Sequence, residues 1–334
     1  MKYVRFIGIL LFIVILLRLD LGQLSQTFQR VNAVVLSIAF FLNLPMVFFK
    51  VLRWKMTLAT QGIQYGLGKS FLAYTGSIYI GLITPGRLGE FVKTVHITQD
   101  CQVSTGKALS SVLVDRLFDL YALLTIGGIA LLTWVSASWS NTESAAYAFW
   151  GFVALCAMLI LPLIIFLNDG LFASIRRLST YLGKLGKNLF KDDGLLMQLR
   201  NGLQQLSWAW FGAGIILTVI SYSIFFFQSY LIAVSLSIPI QITEAMYAVS
   251  IGSLITFIPI SISGIGTRDA AIVAYLTSLQ IDGESAIAFS LLIFFTIQVG
   301  GGLVGAVSWW LKPVSIQFAR QNKSAISSNG EQLT

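Results

Sequence analysis

Charged side chains are scarce in this sequence. Asp, Glu, Lys and Arg make up 11% of its 334 residues, whereas 56% are hydrophobic and the mean hydropathy is +0.80. Soluble domains carry about 25% charged residues, so this composition excludes an ordinary soluble protein. Long apolar runs of the length that a bilayer requires indicate an all-α polytopic membrane protein instead.

The residues of metal and redox sites are also nearly absent. A single histidine, His96, cannot build a metal cluster, and Cys101 and Cys156 form no ligand or redox motif. The pair Gly264 and Gly266 follows no predicted strand and lacks the third glycine of a dinucleotide fingerprint. We therefore expect no metal and no cofactor. The net charge of +8 does not indicate nucleic acid, because the cations lie between the apolar runs, as membrane orientation requires.

Six apolar runs predict full transmembrane helices. The first is not a signal peptide, because no small-residue cleavage site follows it. With the amino terminus in the cytoplasm, the cation-rich connections fall on the cytoplasmic side. We expect a transmembrane domain over 1–311, a basic amphipathic cytoplasmic segment over 168–206, a polar tail over 312–334, and both termini in the cytoplasm of an inner membrane. The predicted spans are 4–17, 32–49, 108–135, 147–167, 208–238 and 285–311.

Two further apolar segments, 70–97 and 245–279, are interrupted by proline and glycine. Proline breaks a helix, and glycine allows close approach of backbone or ligand. Broken helices persist at membrane depth only when they are buried in protein or line a wet cavity. The pattern predicts two re-entrant broken-helix hairpins. Units 32–135 and 208–311 then begin on opposite sides of the membrane, which predicts an inverted repeat of the kind common in transporters.

Asp115, Arg116 and Asp119 lie inside one predicted span, where each charge costs roughly 2.5–3.5 kcal/mol at the bilayer centre. They must therefore be paired or face water. Asp115 and Asp119 share a helical face, and Arg116 is within reach of Asp119. Two interpretations remain open: an ion pair that locks helices together, or one wall of a substrate cavity.

Charges also follow both breaks. Arg87 begins the returning half-helix of the first break, where free backbone N–H groups and the helix dipole favour anions. The guanidinium fork matches phosphate geometry, and Arg268 follows the second break. A phosphate-bearing head group is the expected ligand. The residues expected to bind it are Pro85, Gly86, Arg87, Gly89, Glu90, Lys93, Asp115, Arg116, Asp119, Pro259, Gly264, Gly266, Arg268 and Asp269.

The stretches 85–90 and 114–120, followed by Pro259 and the glycines after it, resemble the lysylphosphatidylglycerol synthase transmembrane-region family of flippase-like membrane proteins. The resemblance covers about residues 5–311. It implies a flippase-like fold in a bacterial or archaeal inner membrane. Family members fused to an aminoacyl transferase domain move an aminoacylated phosphatidylglycerol across the bilayer. No such domain follows here, so we expect that this protein does not make that lipid.

The second break departs from the family pattern. Ser261 and Ser263 occupy the place of a proline-glycine pair, and Arg268–Asp269 the place of a glutamate, which leaves the head group open. The sequence thus predicts a lipid translocator for a phospholipid or a lipid-linked glycan intermediate, not an enzyme. A membrane-embedded transferase and a non-catalytic partner of an envelope lipid or glycan enzyme remain alternatives. The expected partners are membrane lipids with anionic head groups, with a second copy of the chain or an envelope enzyme left open.

Overall fold

The computed structural model describes residues 20–84, 86–138, 168–179, 194–205, 208–256, 261 and 263–313, with isolated positions at 150, 153, 156, 161 and 164. Within these ranges the chain forms helices and loops, and no strand. Several predictions fall outside the described residues: the first span 4–17, most of the span 147–167, the tail after Pro313, and both Pro85 and Pro259.

The helices are numbered here in chain order. Their bounds are α1 Leu21–Gln29, α2 Ala33–Phe41, α3 Asn43–Thr60, α4 Leu67–Leu82, α5 Val92–Cys101, α6 Thr105–Ser138, α7 Asp169–Ser179, α8 Leu195–Gln204, α9 Trp208–Ser235, α10 Ile242–Thr256, α11 Thr267–Ser278, α12 Gly283–Ile293 and α13 Gly300–Leu311. A 3-10 turn, Leu88–Phe91, precedes α5, and a π-helical turn, Phe294–Val299, joins α12 to α13.

Four of the predicted spans are confirmed as helices that are long and apolar enough to cross a bilayer. They run over Ala33–Thr60, Thr105–Val135, Ala209–Ser235 and Gly283–Leu311. The protein is therefore a helical, multi-pass membrane protein. The remaining two spans lie in stretches that the structure describes only at isolated positions or not at all, so they stay predictions.

The first of these spans bends between α2 and α3. Pro45 has no N–H to donate to the carbonyl of Phe41, four residues earlier, and the helix is interrupted at this point. The side-chain amide of Asn43 bonds the carbonyl oxygens of Phe40 at 2.8 Å and of Thr296 at 2.7 Å. The second bond fastens the bend to the π-helical turn of the last span.

Each predicted break separates two half-helices that pack on each other. The first pair is α4 with the 3-10 turn and α5, and the second is α10 with α11. Close contact in the second pair depends on Gly252, because a Cβ there would lie 2.8 Å from Ile272. The two helix–break–helix hairpins are thus present as packed units, while their entry into the membrane from opposite sides stays a prediction.

Packing between the two units is reciprocal. Helix α4, the first half of the first hairpin, packs along α13 of the second unit, and α10, the first half of the second hairpin, packs along α6 of the first. Helices α3 and α9 pack on each other. The approach of α4 to α13 is so close that a Cβ on Gly305 would lie 2.3 Å from the carbonyl oxygen of Thr75. In each case the first half of one unit's hairpin packs on the last span of the other unit. A two-fold relation between the units produces packing of this kind.

Two short helices of segment 168–206 lie within the described residues. Leu199 and Leu203 of α8 are buried with Val114, Phe118 and Trp210, so this helix packs its apolar side on α6 and α9 rather than on lipid. Helix α7 is joined to α8 by an ion pair between Asp169 and Arg200. Whether α7 lies on an anionic lipid surface stays a prediction, for which the exposed Leu171 is suitable.

Candidate functional site

The first break reverses the chain through two left-handed residues. Gly86 and Arg87 have φ angles of 58° and 55°. The hydroxyl of Thr84 closes the turn by accepting a hydrogen bond from the N–H of Gly89 at 2.7 Å. Gly89 is required here, because a Cβ would lie 2.4 Å from the carbonyl oxygen of Ile80. A left-handed conformation costs a residue such as Arg87 roughly 1–2 kcal/mol, and strain of this kind concentrates at functional sites.

The second break is closed by the carboxylate of Asp269. One oxygen, Oδ2, accepts a hydrogen bond from the N–H of Gly266 at 2.8 Å. The other, Oδ1, accepts from the hydroxyl of Ser290 at 2.6 Å and from Nε of Arg268 at 3.1 Å. Gly264 and Gly266 supply φ angles of 79° and 81° that few other residues adopt. The start of α11 is therefore capped from within its own unit.

The two breaks touch each other. The hydroxyl of Ser263, in the second break, donates a hydrogen bond of 2.5 Å to the carbonyl oxygen of Leu82, the last residue of α4. The two residues are 181 positions apart in the chain. A carbonyl at a helix end lacks an intrahelical partner, so this bond both satisfies that group and fixes the two breaks side by side.

A cavity with an interior volume of about 100 Å³ lies between the breaks and is open at one edge. Its lining is both ionic and apolar. The charged residues that line it are Lys50, Arg87, Glu90, Arg116, Asp119 and Arg268. The apolar residues include Met46, Val47, Ile78, Leu123, Phe225, Val249, Ile272, Ile293 and Ile297. Such a cavity suits a ligand that carries an anionic group on an apolar body.

Behind the cavity wall, Arg53 holds both aspartates of α6. Its Nη2 lies 2.7 Å from Asp115 Oδ1 and 2.9 Å from Asp119 Oδ1, and its Nη1 donates to the hydroxyl of Thr218 at 2.8 Å. Arg53 is 0% exposed. Removing one member of a buried ion pair is far more costly than the net value of the pair, because it leaves the other charge uncompensated. The packing of α3 on α6 and α9 is therefore sensitive to the loss of any one member of this network.

Two lysines complete this network, and both lie over aromatic rings. Lys93 Nζ lies 2.6 Å from Asp115 Oδ2 and 4.1 Å from the ring centroid of Tyr74. Lys50 Nζ lies 3.2 Å from Asp119 and 4.6 Å from the ring centroid of Tyr222. Aromatic faces attract ammonium groups, most strongly where water is excluded, which explains in part how these charges are accommodated.

Cations outnumber carboxylates in the described cavity wall and the network behind it. Six cations, Lys50, Arg53, Arg87, Lys93, Arg116 and Arg268, accompany four carboxylates, Glu90, Asp115, Asp119 and Asp269. Arg268 is 2% exposed and its Nη1 has no hydrogen-bond partner among the described residues. A buried donor without a partner costs free energy, so an anion in the cavity would satisfy a need that the protein leaves unmet.

The structure brings many of the predicted site residues together. Arg87, Glu90, Arg116, Asp119 and Arg268 line the cavity, and Lys93 and Asp115 pair behind its wall. Asp269 caps α11, and the predicted glycines Gly86, Gly89, Gly264 and Gly266 shape the two breaks. Pro85 and Pro259 lie outside the described residues. The structure does not contain the expected pair of Arg116 with Asp119. Arg116 pairs instead with Glu90 of the first break, and Asp119 pairs with Arg53 and Lys50.

Sequence analysis missed two central cations. Lys50 and Arg53 lie just beyond the predicted span 32–49, in one of the cation-rich connections, yet α3 continues to Thr60 and buries Arg53. The sequence does contain a pattern that points to this helix: positions 50, 53 and 57 lie on one helical face if the span continues beyond residue 49. The aspartates of α6 also required buried cations from another helix, and α3 was able to provide them.

With this geometry in place, comparison with known proteins identifies the family. The family model described as the lysylphosphatidylglycerol synthase TM region matches residues 5–305. The chain belongs to this family. The match covers both breaks and the ionic helix α6, so the resemblance that these motifs indicated is confirmed.

Two curated membrane proteins of Methanocaldococcus jannaschii are similar to this member of the lysylphosphatidylglycerol synthase transmembrane-region family. UPF0104 membrane protein MJ1078 is 23% identical over 232 residues, which cover 68% of this chain and 93% of that protein. UPF0104 membrane protein MJ1595 is 20% identical over 297 residues, covering 86% and 87%. No solved structure shows significant similarity to the chain.

Proposed function

We propose that this protein is a lipid translocator, which moves a lipid with a phosphate-bearing head group across the inner membrane. The observation that carries the proposal is the cavity between the two breaks. It has an excess of cations, many aliphatic lining residues and an Arg268 donor that has no hydrogen-bond partner among the described residues. The family description names the membrane region of a phospholipid enzyme, which supports a role connected with lipids.

Arg87, Arg116, Arg268 and Lys50 bind the head-group phosphate in this proposal. Guanidinium groups offer parallel N–H donors to phosphate oxygens, and Lys50 adds a point charge. The acyl chains stay in contact with apolar side chains and lipid. Arg53, Lys93 and Asp115 position the wall without touching the ligand, because they are bound to one another behind it.

The proposed transport step is a rocking of one unit against the other around the cavity. The two hairpins enter from opposite sides of the bilayer as re-entrant elements, and units 32–135 and 208–311 are inverted repeats. The reciprocal packing of α4 on α13 and of α10 on α6 supports this arrangement.

The experiment is a translocation assay in proteoliposomes with phosphatidylglycerol that carries a fluorescent acyl chain. Dithionite quenching reports how much labelled lipid changes leaflet with time. We expect Arg268→Gln to slow transport more than about tenfold, because a buried charge-assisted contact is lost. The exposed Arg30→Gln is the matched control and should retain the full rate.

Two results would overturn this assignment. If Arg268→Gln and Lys50→Met both transport at the wild-type rate, the cavity is not the path of the head group. If the purified protein converts the labelled lipid into a new species on chromatography, a membrane-embedded transferase replaces the translocator. The amino terminus and tail are expected in the cytoplasm, which labelling of introduced terminal cysteines in intact cells would check.

A further inference from the structure

The carboxylate of Glu90 lies between two arginines that line the cavity. Its Oε1 is 3.2 Å from Nε of Arg87, and its Oε2 contacts Nη2 of Arg116. The side chain of Glu90 is 5% exposed, whereas those of Arg87 and Arg116 are 30% and 13% exposed. The carboxylate thus sits behind two guanidinium groups that are more open to the cavity, in the position of an anion that neutralises both.

A glycine, Gly81, leaves the space that the Glu90 side chain occupies. A Cβ on Gly81 would lie 2.5 Å from Cγ of Glu90, so only glycine at that point of α4 leaves room for the side chain. Glu90 itself belongs to the 3-10 turn that follows the left-handed residues Gly86 and Arg87. A carboxylate on a strained turn, at the point where the chain reverses, is placed to move when the turn moves.

Glu90 is held differently from Asp269, the carboxylate of the second break. Besides its contact with Arg268, Asp269 accepts hydrogen bonds from the N–H of Gly266 and the hydroxyl of Ser290, neither of which carries a charge. In the described part of the chain, the contacts of the Glu90 carboxylate are the two arginines. The Nε of Arg87, although within ion-pair distance, makes no hydrogen bond with any of the residues that the structure describes. This contact is therefore weaker than an aligned one and open to exchange.

We propose that Glu90 is an internal counter-ion that occupies the place of the ligand's anionic group and gives way when that group enters. The inference rests on the proposed anion-binding role of the cavity and adds a specificity-determining residue to it. A net anionic phosphate group displaces the Glu90 carboxylate from Arg87 and Arg116, and the carboxylate returns when the ligand leaves. By competing with the ligand, Glu90 keeps binding weak enough for release, as conduction through any binding site requires.

The test separates affinity from rate. The full chain is placed in phosphatidylcholine nanodiscs and titrated with phosphatidylglycerol that carries a fluorescent acyl chain, and with the zwitterionic phosphatidylcholine counterpart. We expect Glu90→Gln, which keeps the shape of the side chain, to bind the phosphatidylglycerol probe at least about tenfold more tightly. In proteoliposomes the same variant should move that lipid more slowly, because release becomes limiting. Glu244→Gln, the same exchange at the start of α10, should change neither quantity.

A second variant, Gly81→Ala, also removes the Glu90 carboxylate from the two arginines, by displacing the side chain rather than neutralising it. Gly81→Ala pushes the Glu90 side chain from its seat, and it should also tighten binding of the phosphatidylglycerol probe. Combined with Glu90→Gln, it should add little. Equal or weaker binding in both single variants would overturn the counter-ion role and assign Glu90 to structural pairing alone.

Further arms distinguish failure of this inference from failure of the proposed function. If the wild type prefers the phosphatidylglycerol probe and Arg268→Gln abolishes that preference, the anion site stands whatever Glu90 does. If neither holds, the anion site itself is wrong. Competition by inorganic phosphate, strengthened in Glu90→Gln, supports the counter-ion. If inorganic phosphate competes as strongly as short-chain phosphatidylglycerol does, the site is assigned to free phosphate instead of a lipid head group.

Discussion

The two breaks have the same plan and are stabilised in different ways. In the first, Glu90 is held by charged side chains, one of them from the neighbouring helix α6. In the second, Asp269 is held by a backbone N–H, a serine hydroxyl and the adjacent Arg268. The first break therefore depends on electrostatic contacts with other parts of the cavity, whereas the carboxylate of the second is held within its own unit.

The difference separates a rigid side of the cavity from an adjustable one. Hydrogen bonds from fixed backbone and short hydroxyl groups hold a carboxylate in one position. An ion pair between long side chains has several geometries of similar free energy. The contrast suggests that the second hairpin fixes the cavity while the first responds to its contents. The following predictions test that contrast, from the largest expected effect to the smallest.

The ionic network of the first unit should be the most sensitive point of the fold. Arg53→Met leaves Asp115 and Asp119 without their shared partner, and loss of one member of a buried pair costs about 3–5 kcal/mol. Thermal unfolding in detergent should show this as the largest fall in Tm. Arg268→Met should cost about 1–3 kcal/mol, because Asp269 keeps two uncharged donors.

Arg30→Met, at an exposed position, is the control for both variants. The double variant Arg53→Met with Asp115→Asn should recover part of the loss, since contacting residues couple by about 0.5–3 kcal/mol. An equal fall in Tm for Arg53→Met and Arg268→Met would refute the distinction between the two breaks.

Close backbone approach at the first break should give the next largest effect. In Gly89→Ala the new Cβ would lie 2.4 Å from the Ile80 carbonyl oxygen, and a backbone atom cannot move aside cheaply. We expect a loss of about 1–3 kcal/mol in unfolding free energy, the usual cost of overpacking. Gly212→Ala in α9 meets nothing within 4 Å and should stabilise the helix slightly. If both variants unfold at the wild-type temperature, the turn has a different conformation from the one described.

Sequence patterns predicted the positions of the two helix breaks, because glycine acts on the backbone locally. A helix break at Gly86 or Gly264 follows from the chemistry of a few adjacent residues, and the structure contains both breaks. The clustering of Arg87, Arg116 and Arg268 around one cavity also followed from a simple argument, that charges in lipid must be gathered where they are compensated.

Pairing within the site was less accessible from sequence. Helical spacing favoured Arg116 with Asp119, yet Arg116 contacts Glu90 and Asp119 contacts Arg53. Partners on different helices depend on how the helices cross, which spacing within one helix does not encode. The burial of Arg53 was missed because α3 extends beyond its apolar part, and hydropathy alone ends a span where the charges begin.

The uncharged cap of the second break should give a smaller effect. Ser290→Ala removes one hydrogen bond to the Asp269 carboxylate and leaves the Gly266 N–H in place. A hydrogen bond to a charged group is worth about 1.5–3 kcal/mol, and we expect the lower end because Arg268 can compensate. The exposed Ser37→Ala in α2 is the matched control for thermal unfolding. Loss of lipid binding without loss of stability would show that Ser290 touches the ligand rather than the cap.

The smallest effect is expected where α5, the returning half of the first hairpin, meets the end of α13. Asp100 accepts a hydrogen bond from the hydroxyl of Tyr65 at 2.5 Å and pairs with Lys312. Burial favours the neutral carboxyl, but the bonds from Lys312 and Tyr65 outweigh it and lower the pKa of Asp100. A lowered folded-state pKa contributes stability above the unfolded value of about 3.9, and that contribution is lost as pH falls through the folded value.

Asp100→Asn should therefore lower the Tm by about 1–2 °C at pH 7, because the Asp100 side chain is partly exposed and such pairs are weak. The difference from wild type should shrink as pH falls below about 4, where the wild-type carboxyl also loses its charge. The exposed Ser37→Ala, which changes no titratable group, is the control, and its difference from wild type should not depend on pH. A difference between Asp100→Asn and wild type that stayed constant from pH 7 to pH 3 would mean that shape rather than charge joins the first hairpin to the last helix.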